Sequence, residues 1–197
     1  NSSNFMVRNQ GKRFAMNDGR FNDTKCENTS HRIIRCWSDI NWTEAYDYVN
    51  RLQIRLVKAT KKGKRNLVKR LQYLLTHSFF AKAIAVKKVT QNKGKYTAGI
   101  DNQIWKSDSD KWNGIKSLNT RGYRALPTRR VLIPKKNGKM RPLSIPTIKD
   151  RAMQTLYLLS LQPIEETVAD EHSYGFRLNR SCQDACEQIF ADLSLKE

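Results

Sequence analysis

From Asn41 onward the apolar residues of the chain recur at helical or strand spacing. Ala45, Val49, Leu52 and Leu56 fall on one face at the helical period. Asn41 stands where an N-cap is needed, and Glu44, three residues on, is placed to return the bond as in a capping box. Arg51, Arg55, Lys58 and Lys62 make a second helical stripe, about 120° round the cylinder from the first. A basic hinge follows around Gly63, and then a second helix is expected. It carries Leu67, Leu71, Leu74 and Leu75 and runs unbroken through Phe79, Phe80 and Ile84 to about Val89. Residues 91–99 are polar and glycine-containing, hence a loop. Ser107 or Ser109 opens a short helix bearing Trp112, Ile115 and Leu118, with Gly122 as its expected end.

Residues 129–134 have strand composition, and residues 140–145 make the returning strand across a turn holding Asn137-Gly138. That dipeptide between such runs is the strongest short-range hairpin signal. Pro142 removes a ladder donor, so the hairpin is expected at an edge or irregular. Thr147 with Asp150 begins another helix. Its residues Met153, Leu156, Tyr157, Leu159, Leu161 and Ile164 make it unusually apolar, so it is expected at the centre of the core. Ser181 with Asp184 repeats the device for a last helix through Leu193. Residues 1–36 are rich in Asn, Ser, Asp and Gly with little periodicity and read as a disordered polar tail, with order beginning at Asn41. The fold class that follows is α+β, mainly helical with one hairpin.

Charge changes this picture most. The net charge of +19 is concentrated: residues 51–151 hold 27 basic and 4 acidic side chains, and no acid lies between Asp47 and Asp101. A block of this kind repels itself unless a polyanion neutralises it, and counterion release makes nucleic acid the favoured partner. A solvated basic face or adhesion to anionic lipid is the blander reading. No apolar run approaches the roughly 18 residues that would span a bilayer, and residues 1–23 are too polar for a secretory signal. A soluble, intracellular protein without a membrane partner is expected. Cys26, His31 and Cys36 are evenly spaced but lie in polar sequence, which does not favour a metal site, and Cys182 and Cys186 read as free thiols on a helix.

The hairpin is basic at its turn and apolar along its arms. Lys135, Lys136, Lys139 and Arg141 surround a turn able to fold over a phosphate chain, with Arg141 adding a bidentate fork. A surface turn with solubilising lysines is the other reading. Arg177 and Arg180 stand between two helices, placed either to meet phosphate or to pair with Glu165, Glu166 or Asp170. No paired catalytic carboxylates, Ser/His/Asp or Cys/His arrangement, P-loop or Rossmann glycine pattern is present.

Two long motifs carry a family resemblance. The run RRVLIPKKNGKMRPLSIPTIKDRAMQ, residues 129–154, resembles the first fingers motif of group II intron reverse transcriptases. The run SYGFRLNRSCQDA, residues 173–185, resembles their second, in the same order and separation. Upstream, LTHSF at 75–79 through TAGID at 97–101 is similar to the family's N-terminal extension, as is the helical start over residues 37–55. The resemblance implies a polar tail over residues 1–36, a helical N-terminal extension over 37–122, and the fingers and start of the palm of a right-hand polymerase over 123–197.

It also implies roles. Lys135 and Arg141 match the fingers residues that hold the triphosphate of an incoming nucleotide. The extension and its loop, with Lys93 and Lys95, would lie near the template. The basic helices, with Arg51, Arg55, Lys58, Lys62, Lys64 and Arg65, would lie against group II intron RNA through phosphate contacts. Arg177 and Arg180 match a motif at the junction of fingers and palm, where template contact and structural pairing both stay open. The family's polymerase needs Mg2+ held by palm aspartates, one from a strand after the second motif and two from a Tyr-Ala-Asp-Asp hairpin; no Tyr-X-Asp-Asp occurs in these 197 residues. Two-metal transfer fails without those aspartates, so the chain is expected to contain no catalytic or metal-binding residue of its own and to be inactive as a polymerase until joined to a palm. Template-primer and dNTP would be partners of the joined protein. The alternative is a stand-alone, non-enzymatic splicing factor gripping intron RNA. Either belongs in a bacterial cytoplasm or in an organelle.

Overall fold

The computed structural model describes residues 34–194. Most of the expected polar tail, with Cys26 and His31, lies outside the described residues. Residues 34–168 belong to one compact unit, and residues 169–194 belong to a second.

Order begins before Asn41. Trp37–Asp39 form a 3-10 turn that packs on a later helix, and Ile40 is buried. Asp39 Oδ2 accepts from the N–H groups of Arg35 and Cys36, both at 3.1 Å, and the Trp37 ring lies 4.9 Å from that of Trp42. The apolar surface of Trp37 and Ile40 finds its partner only in the tertiary fold, which is why periodicity missed it.

Helix α1, Trp42–Lys61, is capped by Asn41, whose Oδ1 accepts from the Glu44 N–H at 3.3 Å, the forward half of the expected box. Its buried face is the expected one, Ala45, Val49, Leu52 and Leu56, extended by Ala59. The long second helix is in fact two: α2, Arg65–His77, and α3, Phe79–Gln91. Ser78 makes the break. Its backbone is extended (ψ 140°), and its Oγ accepts from the Ala81 N–H at 3.1 Å, so it caps α3 and ends α2. Because α2 is a separate helix, only Leu71 and Leu75 of its expected stripe are buried, while Leu67 and Leu74 face solvent.

A 3-10 turn, Lys93–Tyr96, leads to α4, Asp108–Ser117, which opens with a full capping box between Ser107 and Asp110. This helix ends at Ser117 rather than at Gly122. Leu118 leaves helical geometry (ψ 82°) to bury its side chain, and its N–H still reaches the Ile115 carbonyl. Strands β1, Arg129–Pro134, and β2, Met140–Ile145, pair antiparallel with the expected bounds.

Helix α5, Ile148–Val168, packs on α1, α2 and α3 and completes the core. Leu56, Leu71, Leu75, Met153 and Leu156 are almost wholly buried there, each contributing about 1.5–3 kcal/mol of transfer free energy. Helix α5 is the central core helix that its composition predicts, with part of its apolar surface left uncovered. Tyr157, Leu158 and Leu161 are exposed because only one face meets the other helices. Pro163 lies inside α5 and has no N–H for the Leu159 carbonyl one turn earlier. Gln53 of α1 supplies the donor instead, its Nε2 standing 2.9 Å from that oxygen.

In the second unit, α6, Cys182–Ser194, is capped by Ser181 as expected. The Ser181 N–H and Oγ–H both reach Asp184 Oδ2, at 2.6 and 2.9 Å, and the Asp184 N–H donates back to Ser181 Oγ at 3.3 Å.

Candidate nucleic-acid interface

The hairpin turn closes by two backbone bonds, Lys135 N–H to the Lys139 carbonyl at 2.8 Å and Gly138 N–H to the Lys135 carbonyl at 3.0 Å. Gly138 adopts φ +75°, which a Cβ would resist, so the Asn-Gly signal had this physical basis. Register sets Ile133 opposite Arg141 and Val131 opposite Leu143, and the turn bonds continue it to Lys135 opposite Lys139. Strand side chains alternate between faces. Lys135, Lys139 and Arg141 therefore stand on one face with Arg129, while Leu132, Met140 and Pro142 occupy the other. Lys135 and Arg141 thus share a face, with Lys136 exposed at the tip. None of these hairpin cations has an acidic partner among the described residues.

A second cationic surface comes from α1, its hinge and α2. Every lysine and arginine from Arg51 to Arg70 is exposed, including Arg51, Arg55, Lys58, Lys62, Lys64 and Arg65. Lys93 is exposed too, and the half-buried Lys95 sits 5.0 Å from the Tyr96 ring centre. Among the described residues between 51 and 151, the one ion pair is Lys111 with Asp108 at 2.8 Å. Lys87 has an internal use: its Nζ lies 3.9 Å above the Trp42 ring, and burial lowers its pKa.

Arg177 and Arg180 sit in the second unit. Arg180 Nη1 donates to the carbonyls of Glu171 and Ser173 at 2.5 and 2.6 Å, and its guanidinium lies 5.6 Å over the Tyr174 ring. Arg177 is buried. Arg180 thus closes its own loop rather than pairing by its Nη1 with a carboxylate. Residue spacing does not single out backbone carbonyls as partners, so this bond was not foreseeable.

Arg151, Gly99 and Tyr123, beside the interface, have contacts that residue spacing does not reveal. Arg151 donates to the Gly94 and Thr97 carbonyls at 2.8 and 2.6 Å, tying the 3-10 turn with Lys93 and Lys95 to α5. Burial lowers its pKa, and Asp101 opposes that effect. Gly99 packs so closely on the start of α5 that a Cβ would stand 2.6 Å from the Thr147 Cα. Asp150 is buried and accepts from the Tyr123 hydroxyl, and from Thr147 Oγ1 at 2.7 Å. Burial, then the Asp150 carboxylate, raise the Tyr123 pKa. Tyr123 and Asp150 line a cleft of about 450 Å³ with Asp101, Trp105, Arg124 and Lys149. The Thr147-Asp150 spacing flagged this start of α5 as a cap, but Tyr123 lies 27 residues away in sequence.

Among the described residues, no group of three or more His, Cys, Asp or Glu comes together. No described helix is long and apolar enough to cross a membrane.

Comparison with known proteins matches two stretches of the chain. The N-terminal domain of reverse transcriptase matches residues 37–118, and reverse transcriptase (RNA-dependent DNA polymerase) matches residues 133–196. Protein YkfC of Escherichia coli is 35% identical over 133 residues, which are 64% of this chain and 34% of that protein. The group II intron-encoded protein LtrA of Lactococcus lactis is 38% identical over 121 residues, 60% of this chain and 20% of that protein. An uncharacterised 91 kDa protein in the cob intron of Schizosaccharomyces pombe is 35% identical over 132 residues, 65% of this chain and 16% of that protein. The chain thus spans about a third or less of the length of these relatives. With both reverse-transcriptase domains matched in chain order and intron-encoded proteins among its relatives, the chain belongs to the group II intron reverse transcriptase family.

Proposed function

We propose that this chain is the RNA-gripping and fingers portion of an intron-encoded reverse transcriptase and maturase, which copies RNA into DNA and assists splicing when joined to a palm. The observation that supports it best is the hairpin register, which sets Lys135 and Arg141 on one face beside Lys139 with no carboxylate to neutralise them among the described residues. An ammonium and a planar guanidinium on one turn suit the oxygens of a nucleoside triphosphate, and the exposed turn lets them close on it without burying an unpaired charge. Mg2+ would come to the reaction on palm aspartates, not on the residues described.

Intron RNA would lie along α1 and α2. There Arg51, Arg55, Lys58, Lys62, Lys64 and Arg65 contact phosphates, fixing position without reading sequence. Lys93 and Lys95, held in place by Arg151, would face the template. Arg177, buried, and Arg180, bound to the Glu171 and Ser173 carbonyls, would shape the loop before α6 at the junction of fingers and palm. The domain division is proposed as 37–122 for the extension and 123–197 for fingers and the start of the palm, in a bacterial cytoplasm or an organelle.

The test is salt dependence of binding to a folded intron RNA, read by fluorescence anisotropy. Six engaged cations on α1, the hinge and α2 lower affinity about a thousand-fold between 50 and 200 mM salt. Replacing Arg51, Arg55, Lys58 and Lys62 with Gln flattens that slope. Affinity that is indifferent to salt would refute the proposal.

A further inference from the structure

The C-terminal turn of α2 carries an aromatic feature that phosphate contacts do not use. Tyr73 is 61% exposed, yet its ring is stacked on the His77 imidazole, with centroids 3.9 Å apart and planes 23° from parallel. The imidazole is itself held at both nitrogens. Nδ1 lies 2.9 Å from the Tyr73 carbonyl, and Nε2 lies 2.9 Å from the Thr120 hydroxyl, which comes from the loop after α4. One face of the Tyr73 ring is therefore backed by a fixed plane, and most of its remaining surface is open.

The surroundings are cationic. Lys69 and Arg70 precede Tyr73 by four and three residues, so they share its side of the helix. The Thr120 bond also brings the loop bearing the exposed Arg121 toward the same end of α2. None of these three cations has an acidic partner among the described residues. The exposed Leu74 adds apolar surface alongside.

An open aromatic face, backed so that it does not rotate away and flanked by unneutralised cations, has the chemistry that binds an unstacked base with its phosphates. We propose that Tyr73, supported by His77 and Thr120, is a stacking platform for one unpaired nucleotide of the bound RNA, with Lys69, Arg70 and Arg121 meeting the flanking phosphates. This rests on the proposed RNA-binding reading and adds a contact specific to single-stranded RNA. Paired RNA hides its base faces and would not use the platform.

The experiment uses the 197-residue chain and two probes. One is an oligoadenylate with a single 2-aminopurine, and the other is a fully paired RNA hairpin. With the wild-type chain, stacking on Tyr73 quenches the 2-aminopurine. Tyr73→Leu keeps an apolar, helix-favouring side chain but removes the ring. It weakens oligoadenylate binding about ten-fold, abolishes the quench, and leaves the affinity for the paired hairpin unchanged. Tyr73→Phe retains both single-strand binding and quench. Thermal melting of each variant shows that the helix is intact. Equal affinity of Tyr73→Leu and wild type for oligoadenylate, with the same quench, overturns the platform while leaving the phosphate reading standing. A comparable loss for the paired hairpin as well also overturns it, since the defect would then be general. Failure of the wild-type chain to bind either RNA removes the RNA-binding reading itself.

Discussion

Replacing Gln53 with Leu removes the donor that α1 lends to the proline-bearing part of α5. In the wild type the Leu159 carbonyl has no helical partner because Pro163 lacks an N–H, and Gln53 Nε2 fills the gap at 2.9 Å. An orphaned carbonyl costs about 1–3 kcal/mol when fully buried. Here Gln53 and Leu159 are both half-buried, so water recovers part of that cost, and roughly 1–1.5 kcal/mol is expected. For a chain of this size that lowers Tm by roughly 2–6 °C. Leu keeps the apolar stem, so the loss reports the hydrogen bond rather than a cavity. The decisive comparison is a double-mutant cycle with Pro163→Ala, measured by urea denaturation followed by circular dichroism. The alanine would return the missing N–H, and Gln53→Leu should then cost less than about 0.5 kcal/mol, a coupling of about 1 kcal/mol. If Gln53→Leu destabilises both backgrounds equally, the carbonyl was never dependent on Gln53 and the reasoning fails.

Gly99→Ala places a Cβ 2.6 Å from the Thr147 Cα and 2.8 Å from its backbone nitrogen. The expected cost is about 1–3 kcal/mol of overpacking, visible as a lower Tm, and an unchanged melting curve would contradict the close approach. Tyr123 ionises above its ordinary pKa of 10.0 in the folded chain. The unfolded chain therefore loses that proton first, and stability should fall as pH rises past about 10. Tyr123→Phe should remove this part of the alkaline loss; denaturation curves with the same pH slope in both proteins would discount it. In a polymerase containing this chain joined to a palm, Arg141→Ala should raise KM for dNTP about ten-fold or more, and an unaltered KM would count against the triphosphate role.

The local signals in this chain were strong where a short segment decides its own conformation. The face of α1, the bounds of β1 and β2, and the capping residues Ser107 and Ser181 all follow from neighbours within a few positions. The two fingers motifs were equally legible because their residues are contiguous, and they carried the family. What escaped depended on groups far apart in sequence. Ser78 ends α2 at a place where composition alone allows a helix to continue, because burying Leu75 and Ala81 requires the chain to turn there. Gln53 to Leu159, Arg151 to Gly94, Tyr123 to Asp150 and His77 to Thr120 each join polar groups that have no shared period.

By itself, then, the sequence determined which segments are helix or strand, where most begin, that one long stretch is cationic, and that Lys135 and Arg141 flank a tight turn. Tertiary structure decided which apolar residues are covered, leaving Leu67, Leu74 and Leu161 open, and which cations serve the fold, as Lys87 and Arg180 do. The physical reason is range. Dihedral preferences, caps and periodicity act within a turn or two of the backbone, whereas burial and hydrogen-bond satisfaction depend on whichever distant element packing brings alongside.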